Sequence, residues 1–260
     1  MEIRYNINMQ LVWLKRDLRL HDHQALHLAA NNGPFILLYI FEPDLWREPD
    51  MSLRHYDFLL ECLEDLATQL NKKGGMLVVK VGDAETVLNY FYQKYQIQTL
   101  ISHQETWNHW TFKRDIAVQK WCKKRQIEWL QPIQNGVIRA LKDRDGWAKK
   151  WDARMTQPMV ESPATFTDCN EKNDKIPSFD SLSSNTDACS KRLIGTRKQA
   201  ELYLHTFLYE RGEHYTKEMS SPITAFDACS RLSVYLAFGV ISIKEVYQTM
   251  KKRQQELWAM

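Results

Sequence analysis

The 260-residue sequence has no long hydrophobic run, and its longest uninterrupted apolar stretch is the seven-residue segment Phe35–Phe41. A membrane-spanning helix needs about 20 apolar residues, and a secretory signal needs a longer apolar core after its basic start. We therefore expect a protein without membrane attachment.

Cysteine is scarce and scattered. The five cysteines are Cys62, Cys122, Cys169, Cys189 and Cys229. Their number is odd, and no two have the C-x-x-C spacing typical of zinc or redox sites. This pattern argues against a disulfide framework and favours a reducing compartment, so we expect a cytoplasmic location.

Local motifs of the common enzyme classes are absent. The sequence contains no G-x-G-x-x-G, P-loop, G-x-S-x-G or H-E-x-x-H, which removes local support for dinucleotide, nucleoside triphosphate, esterase and metalloprotease sites. Two loose histidine groups remain as candidate metal ligands: His23 with His27, and His103 with Glu105 and His109. Histidines at such spacing commonly serve as surface or core residues, so we predict no metal site.

Composition is that of a globular protein, with 44% hydrophobic and 26% charged residues. The net charge is only +3, but residues 113–154 contain 12 Lys and Arg against 5 Asp and Glu. Four tryptophans interrupt this segment: Trp121, Trp129, Trp147 and Trp151. A basic, aromatic segment is a candidate nucleic-acid surface. The simpler interpretation is a solvated basic helix face whose tryptophans lie in the core.

Short apolar segments alternate with helical patterns in the first 156 residues. Five segments have the Val, Ile and aromatic content of buried parallel strands, at residues 10–15, 35–41, 76–81, 99–102 and 127–130. The helical stripes between them are Leu59, Leu63, Leu66 and Leu70, ended by Gly74 and Gly75; Val87, Leu88 and Phe91 after an N-cap at Asp83; and Phe112, Ile116 and Trp121. This alternation predicts an α/β fold with a five-stranded, Rossmann-like parallel sheet covered on both faces.

The pattern changes after residue 156. Residues 157–190 are rich in Pro, Ser, Thr, Asn and Asp and have too few regularly spaced apolar residues to form an element. They predict a long linker that runs over the surface. The expected organisation is an α/β domain at 1–156, a linker at 157–190 and part of a helical domain at 191–260.

The last segment contains helix signals only. Thr196 with Gln199, and Ser242 with Glu245, have the spacing of capping boxes that begin helices. Between these two helices we predict another over residues 224–238, ended by Gly239.

Residues 13–26 read WLKRDLRLHDHQAL and resemble the opening signature of the cryptochrome and DNA photolyase family. In that signature an aromatic residue, a basic residue, Arg, Asp, Leu, Arg and a later Asp precede an Ala-Leu pair. The segment follows a predicted strand and opens a helix, as the family's first βα unit does. His23 stands where the family most often has Asn, and we expect this difference to alter local hydrogen bonding rather than the fold.

Residues 229–239 read CSRLSVYLAFG and are similar to the family run that cradles the FAD diphosphate. Small hydroxyl side chains near a helix start let N–H and O–H donors approach phosphate, where the helix dipole adds attraction. The resemblance implies contacts on the phosphate side of FAD from Tyr215, Cys229, Ser230, Arg231, Leu232 and Ser233. Cys229 replaces the Thr often seen there and lacks its hydroxyl donor.

The resemblance runs through nearly the whole chain. It implies that Arg16, Arg54 and Glu105 line a pocket for an antenna chromophore, a folate or a deazaflavin, at the carboxyl edge of the sheet. The alternative is that each of the three forms a structural salt bridge.

Light-dependent repair of pyrimidine dimers in damaged DNA, driven by electron transfer from reduced FAD, is the function that the resemblance implies. The enzyme would be a deoxyribodipyrimidine photolyase, monomeric when complete. The family's helical domain continues past the point that matches Met260, so we expect the catalytic residues beyond it and this chain to be a truncated form that binds FAD weakly or not at all. Two alternatives stay open: a cryptochrome-type blue-light photoreceptor, and a stand-alone module that binds a chromophore or nucleotide.

Overall fold

A five-stranded parallel sheet forms the centre of the computed structural model, which describes residues 9–166, 169–183 and 188–259. The strand order is β3-β2-β1-β4-β5. The strands are β1 (Gln10–Leu14), β2 (Phe35–Phe41), β3 (Leu77–Val81), β4 (Thr99–Ile101) and β5 (Glu128–Leu130). Each predicted strand is present within one residue of its predicted ends, and the predicted fold class is confirmed. Within the described ranges, no helix has the length and apolar character needed to cross a bilayer.

Helices cover both faces of the sheet because successive strand side chains point to opposite faces. The helices of this unit are α1 (Gln24–Asn32), α2 (Pro43–Trp46), α3 (Leu53–Asn71), α4 (Ala84–Tyr95), α5 (His109–Arg125) and α6 (Trp147–Met155). Val12 and Leu14 of β1 join the buried cluster that contains α1 and α3, whereas Leu11 and Trp13 join the one that contains α4 and α5. The predicted N-cap is confirmed, since Asp83 accepts the N–H of Thr86 at 2.9 Å.

The predicted apolar stripe of α5 is wrong in part. Trp121 is buried, but the side chains of Phe112 and Ile116 lie outside, with 62% and 40% of each residue exposed. Five positions separate Ile116 from Trp121, which places them roughly 140° apart around a helix of 3.6 residues per turn. The two cannot share one face, and the buried face of α5 instead carries Val118 and Cys122 beside Trp121.

Described residues of the segment 157–190 follow the sheet edge formed by β3. Asp174 donates its N–H to the carbonyl of Val79 at 2.9 Å, and Asn173 Oδ1 accepts the N–H of Val79 at 2.9 Å. Among the described residues of 157–190, the one regular element is a 3₁₀ turn at Phe179–Ser181, with Phe179 buried. These contacts cover an edge that would otherwise expose unpaired N–H and C=O groups.

The remaining elements are helical. They are α7 (Arg197–Thr206), a π-helical turn at Phe207–Arg211, α8 (Tyr215–Glu218), α9 (Ala225–Ala228), α10 (Ser233–Ala237) and α11 (Ile243–Ala259). Both predicted caps are confirmed, because Thr196 accepts the N–H of Gln199 at 3.3 Å and Ser242 that of Glu245 at 2.9 Å. The single helix predicted over 224–238 is wrong. Arg231 has a left-handed φ of 62°, and the chain there separates α9 from α10.

Candidate functional site

Asp17, in the loop after β1, is the centre of a buried group that we call the Asp17 cluster: Asp17, His23 and His103. Asp17 Oδ1 accepts the N–H of Lys15 at 2.7 Å, and its Oδ2 lies 2.6 Å from His103 Nδ1 and 3.2 Å from His23 Nε2. Burial opposes ionisation of Asp17, but hydrogen bonds from His103 and His23 hold its pKa well below the usual value. The first loop is therefore fixed by a buried carboxylate.

The tautomers of the two histidines follow from their partners. His23 begins α1, and its Nδ1 accepts the N–H of Leu26 at 3.1 Å, so the ring proton lies on Nε2 and faces Asp17. His103 directs Nδ1 to the same carboxylate. Burial, and then the neighbouring His23, lower the pKa of His103 to about 3, so its ring is neutral at pH 7.

These hydrogen bonds make the Asp17 cluster a poor metal site. To bind a metal through Nε2, His23 would move its proton to Nδ1, where the Leu26 N–H already donates. Metal binding would therefore break the cap of α1. Neither histidine group predicted from spacing forms a site: His23 and His103, one from each group, meet at Asp17, whereas His27 contacts Asn31 at 3.1 Å on the surface and His109 lies against Phe112.

Arg16 and Glu105 join the loops that follow β1 and β4. Arg16 Nε donates to Glu105 Oε1 at 3.3 Å, and the Arg16 guanidinium lies 4.6 Å from the centre of the Trp107 ring. Both residues line a cavity of about 220 Å³ at the carboxyl edge of the sheet, whereas Arg54 does not line it. Sequence reasoning missed the aromatic residues of the same wall, which are Trp13, Tyr39, Trp46 and Trp107.

Arg114 of α5 holds the acidic side of this cavity. Its guanidinium lies 2.8 Å from Glu42, 2.9 Å from Asp115 and 3.7 Å from Glu105. Burial raises the pKa of Glu42, and the charge of Arg114 opposes that rise. Burial lowers the pKa of Arg114, but Glu42, Asp115 and Glu105 raise it above its usual value. This guanidinium is therefore a fixed cation in the cavity wall.

The two segments that carry the family resemblance contact each other. Arg19 Nη1 donates to the carbonyl of Gly239 at 3.0 Å, and Leu18 donates its N–H to the carbonyl of Phe238 at 3.1 Å. Gly239 has a φ of 68°, and a Cβ there would lie 2.3 Å from the carbonyl oxygen of Arg16. The first loop and the end of α10 therefore meet at a distance that only glycine allows.

A second polar contact lies beside the first. Asp22 Oδ2 accepts the hydroxyl of Ser242 at 2.6 Å, and Asp22 Oδ1 lies 2.9 Å from Lys244 Nζ. Burial opposes ionisation of Asp22, but these two partners lower its pKa. The start of α11 is thus held against the loop that precedes α1, a role that sequence spacing did not indicate.

Residues 229–233 form a kinked segment between α9 and α10. Arg211 supports it from outside by donating to the carbonyls of Cys229 at 2.5 Å and Ser230 at 3.5 Å. The Arg231 guanidinium lies 3.4 Å from the centre of the Phe226 ring, and its Nη2 is buried without a hydrogen-bond partner among the described residues. No side chain caps α10. The kinked segment therefore presents an unsatisfied cationic nitrogen next to an uncapped helix start.

The six residues predicted to face FAD do not all line one cavity. Ser233 is exposed, Cys229, Ser230 and Arg231 are half-buried, and the Leu232 side chain belongs to the core. Tyr215 lies on α8, packs against Phe207 at 5.5 Å between ring centres, and lines a cavity of about 610 Å³ that the kinked segment does not share. The predicted FAD contacts remain predictions.

Comparisons with known proteins identify the family and the fold. The family model described as DNA photolyase matches residues 10–150. A cryptochrome DASH from Danio rerio is 25% identical over 94% of this chain and 52% of its own length. A cryptochrome from Synechocystis sp. PCC6803 superposes with a TM-score of 0.80 at 21% identity, over 96% of this chain and 56% of that one. An archaeal photolyase from Sulfolobus tokodaii, solved with two FAD molecules, has a TM-score of 0.71 at 23% identity and the same coverage. The chain thus spans about half the length of these relatives.

Proposed function

The chain belongs to the DNA photolyase family, and from that premise we propose that the whole protein repairs pyrimidine dimers in DNA with light and reduced FAD. FAD, when bound, supplies the light-driven electron transfer. In this proposal the chain contributes an α/β domain at 1–156, a linker at 157–190 and the first helices of the FAD-binding domain at 191–260. Damaged DNA would be the partner of the whole protein, in the cytoplasm.

The observation that carries the proposal is the contact between the two segments that resemble the family, of which the first lies within the matched residues 10–150. The carbonyl of Gly239 receives Arg19, and Gly239 itself lies against Arg16, so the first loop of the sheet fixes the end of α10. This contact holds the kinked segment at one position relative to the cavity that Arg16 and Glu105 line. A flavin site and an antenna site need such a fixed relationship, because energy transfer between two chromophores depends on their separation.

Residues of the kinked segment fit the diphosphate of FAD. The buried Nη2 of Arg231, which has no hydrogen-bond partner among the described residues, is the kind of donor that an anion would satisfy. Ser230 and Ser233 would donate hydroxyl hydrogen bonds beside it. Tyr215 lines a different cavity, and its phosphate contact rests on the family resemblance alone. Their role is to bind and orient the cofactor.

The cavity lined by Arg16 and Glu105 fits a small aromatic antenna chromophore, a folate or a deazaflavin. Indole and phenol rings form its walls, and the guanidinium groups of Arg16 and Arg114, each paired with acidic side chains of the protein, lie among them. The Sulfolobus protein that was solved with two FAD molecules supports a second chromophore in this family. Open α/β sheets bind ligands at this edge, outside the carboxyl ends of strands whose connections leave in opposite directions, as they do here beside β1 and β4.

Repair is tested with the protein expressed from its complete gene. We expect blue light, but not darkness, to convert an oligonucleotide that contains a cyclobutane thymine dimer into undamaged product, as resolved by chromatography. Arg231→Leu should lower the flavin content of the purified protein, whereas Arg125→Leu on the far side of the sheet should not. Flavin binding with no light-dependent repair would overturn the proposal of a photolyase.

A blue-light photoreceptor is the second candidate, because the Danio and Synechocystis relatives are described as cryptochromes. Its signature would be light-driven reduction of bound flavin without dimer repair. Flavin absorption before and after illumination, recorded on the sample used for the repair assay, separates the two functions.

A further inference from the structure

One short piece of the chain, residues 229–239, belongs to both candidate chromophore sites. Its first five residues are the kinked segment, which carries the proposed contacts with the diphosphate of FAD. At its other end, Ala237 and Phe238 line the cavity that Arg16 also lines, which we call the antenna cavity. Helix α10 joins the two ends, and its five residues span roughly 7.5 Å. Ligands in the two sites would therefore contact opposite ends of the same short helix.

The end of this piece that faces the antenna cavity is held firmly. The carbonyls of Phe238 and Gly239 accept hydrogen bonds from the first loop of the sheet. Tyr235, in the middle of α10, is fully buried and donates its hydroxyl to the carbonyl of Ile194 at 3.0 Å. The centre of the Phe58 ring lies 5.4 Å from that of Tyr235 and 5.1 Å from that of Phe238. Because close-packed groups move together, α10 and Phe238 form one unit.

The end that carries the kinked segment is held less well. Arg231 has a φ of 62°, a left-handed conformation that is unfavourable for a residue with a Cβ. Its Nε donates to the carbonyl of Phe226 at 2.9 Å, but its Nη2 is buried and has no hydrogen-bond partner among the described residues. Both features raise the free energy of the packed conformation until an anion binds the guanidinium. The kinked segment is therefore the part of residues 229–239 that opens most easily.

We propose that the antenna cavity and the flavin site are thermodynamically coupled through residues 229–239, so that a chromophore in one site raises the affinity of the other. The identity of the two ligands rests on the proposed function. An antenna chromophore that packs on Phe238 favours the packed conformation of this piece, and a diphosphate that pairs with Arg231 favours the same conformation. The first ligand orders residues 229–239, and the second then binds a chain that is already ordered. By linkage, the effect is the same in both directions.

The test uses flavin-free protein expressed from its complete gene and measures FAD binding by equilibrium dialysis, without and with saturating methenyltetrahydrofolate as the antenna probe. A deazaflavin replaces this probe if the folate does not bind. We expect the probe to lower the Kd for FAD about fivefold, and FAD to lower the Kd for the probe by the same factor. The probe alone should also slow amide hydrogen exchange in peptides that cover residues 229–236, which do not line the antenna cavity.

Phe238→Ala separates coupling from affinity. It removes the ring that joins the antenna cavity to α10, so the Kd for FAD should change by less than about twofold when the probe is added. Leu45→Ala is the matched control, because Leu45 is also half-buried and lines the same cavity but lies on α2. This control should weaken binding of the probe and leave the fivefold coupling intact at saturation. Thermal unfolding verifies the fold of each variant, and the titrations of the unsubstituted protein decide the question if a variant does not fold.

Three results would overturn the coupling: a Kd for FAD that is the same with and without the probe, unchanged hydrogen exchange in residues 229–236, or full coupling in Phe238→Ala. Failure of both antenna probes to bind would overturn it as well. Binding of FAD and of the probe with no mutual effect would contradict this inference alone and leave the proposed function standing. A complete protein that binds no FAD would instead overturn the proposed function, and the coupling with it.

Discussion

Asp17 Oδ2 and His103 Nδ1 lie 2.6 Å apart inside the protein, although 86 residues separate them in the sequence. The pair ties the loop after β1 to the chain after β4, and the His23 ring stands 4.5 Å from that of His103. A neutral imidazole in this position gives the fold a dependence on pH.

Stability should fall as the pH drops from 7 to 5. His103 has a folded pKa of about 3, lowered by burial and by His23, against an unfolded value of about 6.5. At pH 5 the unfolded chain therefore binds a proton at His103 that the folded chain does not bind. By linkage, the free energy of unfolding is about 2 kcal/mol lower at pH 5 than at pH 7. Urea unfolding at both pH values measures this loss. His103→Asn should remove that part of the pH dependence whatever its effect at pH 7, and an unchanged slope would contradict the assignment.

Gly239→Ala should destabilise the protein by about 3 kcal/mol or more. The new Cβ would lie 2.3 Å from the carbonyl oxygen of Arg16 and 2.5 Å from Asp17 Cα, both of which are backbone atoms. Gly74→Ala is the matched control because Gly74 has a φ of 70° and no atom within 4 Å. Gly74→Ala should lower the free energy of unfolding only by the strain of a left-handed backbone at a residue with a Cβ, about 1 kcal/mol. If urea unfolding shows the same loss of free energy for Gly239→Ala and Gly74→Ala, the close backbone approach at Gly239 contributes nothing to the effect of the substitution.

Asp22 and Lys244 should be energetically coupled. Their ion pair is largely buried, and the Ser242 hydroxyl also donates to Asp22. In a double-mutant cycle of Asp22→Asn and Lys244→Met, we expect a coupling free energy of about 1 to 2 kcal/mol. The pKa of Asp22 is lowered, so this contribution is present above pH 4 and is lost as the pH falls further. If the stability losses of the two single substitutions simply add in the double variant, the ion pair contributes no coupling, and apolar packing alone holds α11.

Arg16→Ala should weaken binding of a folate or deazaflavin antenna about tenfold, the loss expected for one charge-assisted hydrogen bond. Its guanidinium lines the cavity at the sheet edge, packs on Trp107 and pairs with Glu105. Arg54→Ala should change the affinity by less than about twofold, because Arg54 does not line the cavity. Fluorescence titration measures both variants. A larger effect from Arg54 would place the antenna elsewhere.

Hydrophobic periodicity was sufficient to predict the sheet. Apolar runs such as Phe35–Phe41 are buried on both faces in a parallel sheet, so composition and length identify them without knowledge of their neighbours. Caps were equally local, since Asp83, Thr196 and Ser242 each bond an N–H three residues later. The predicted stripe of α5 was wrong because Ile116 and Trp121 are five positions apart and cannot share one helix face, and only the folded structure shows that the face of Trp121 is the buried one.

The sequence by itself determined the α/β alternation, the helix starts and the family resemblance, because each depends on residues close together in the chain. Only the tertiary structure decided that the helix predicted over 224–238 breaks at Arg231, that Arg16 and Glu105 share a cavity while Arg54 does not, and that the signature loop contacts Gly239. These features depend on the approach of segments as much as 220 residues apart. Local propensity carries no information about such contacts, since their free energy comes from burial and hydrogen bonds that form only when the chain has folded.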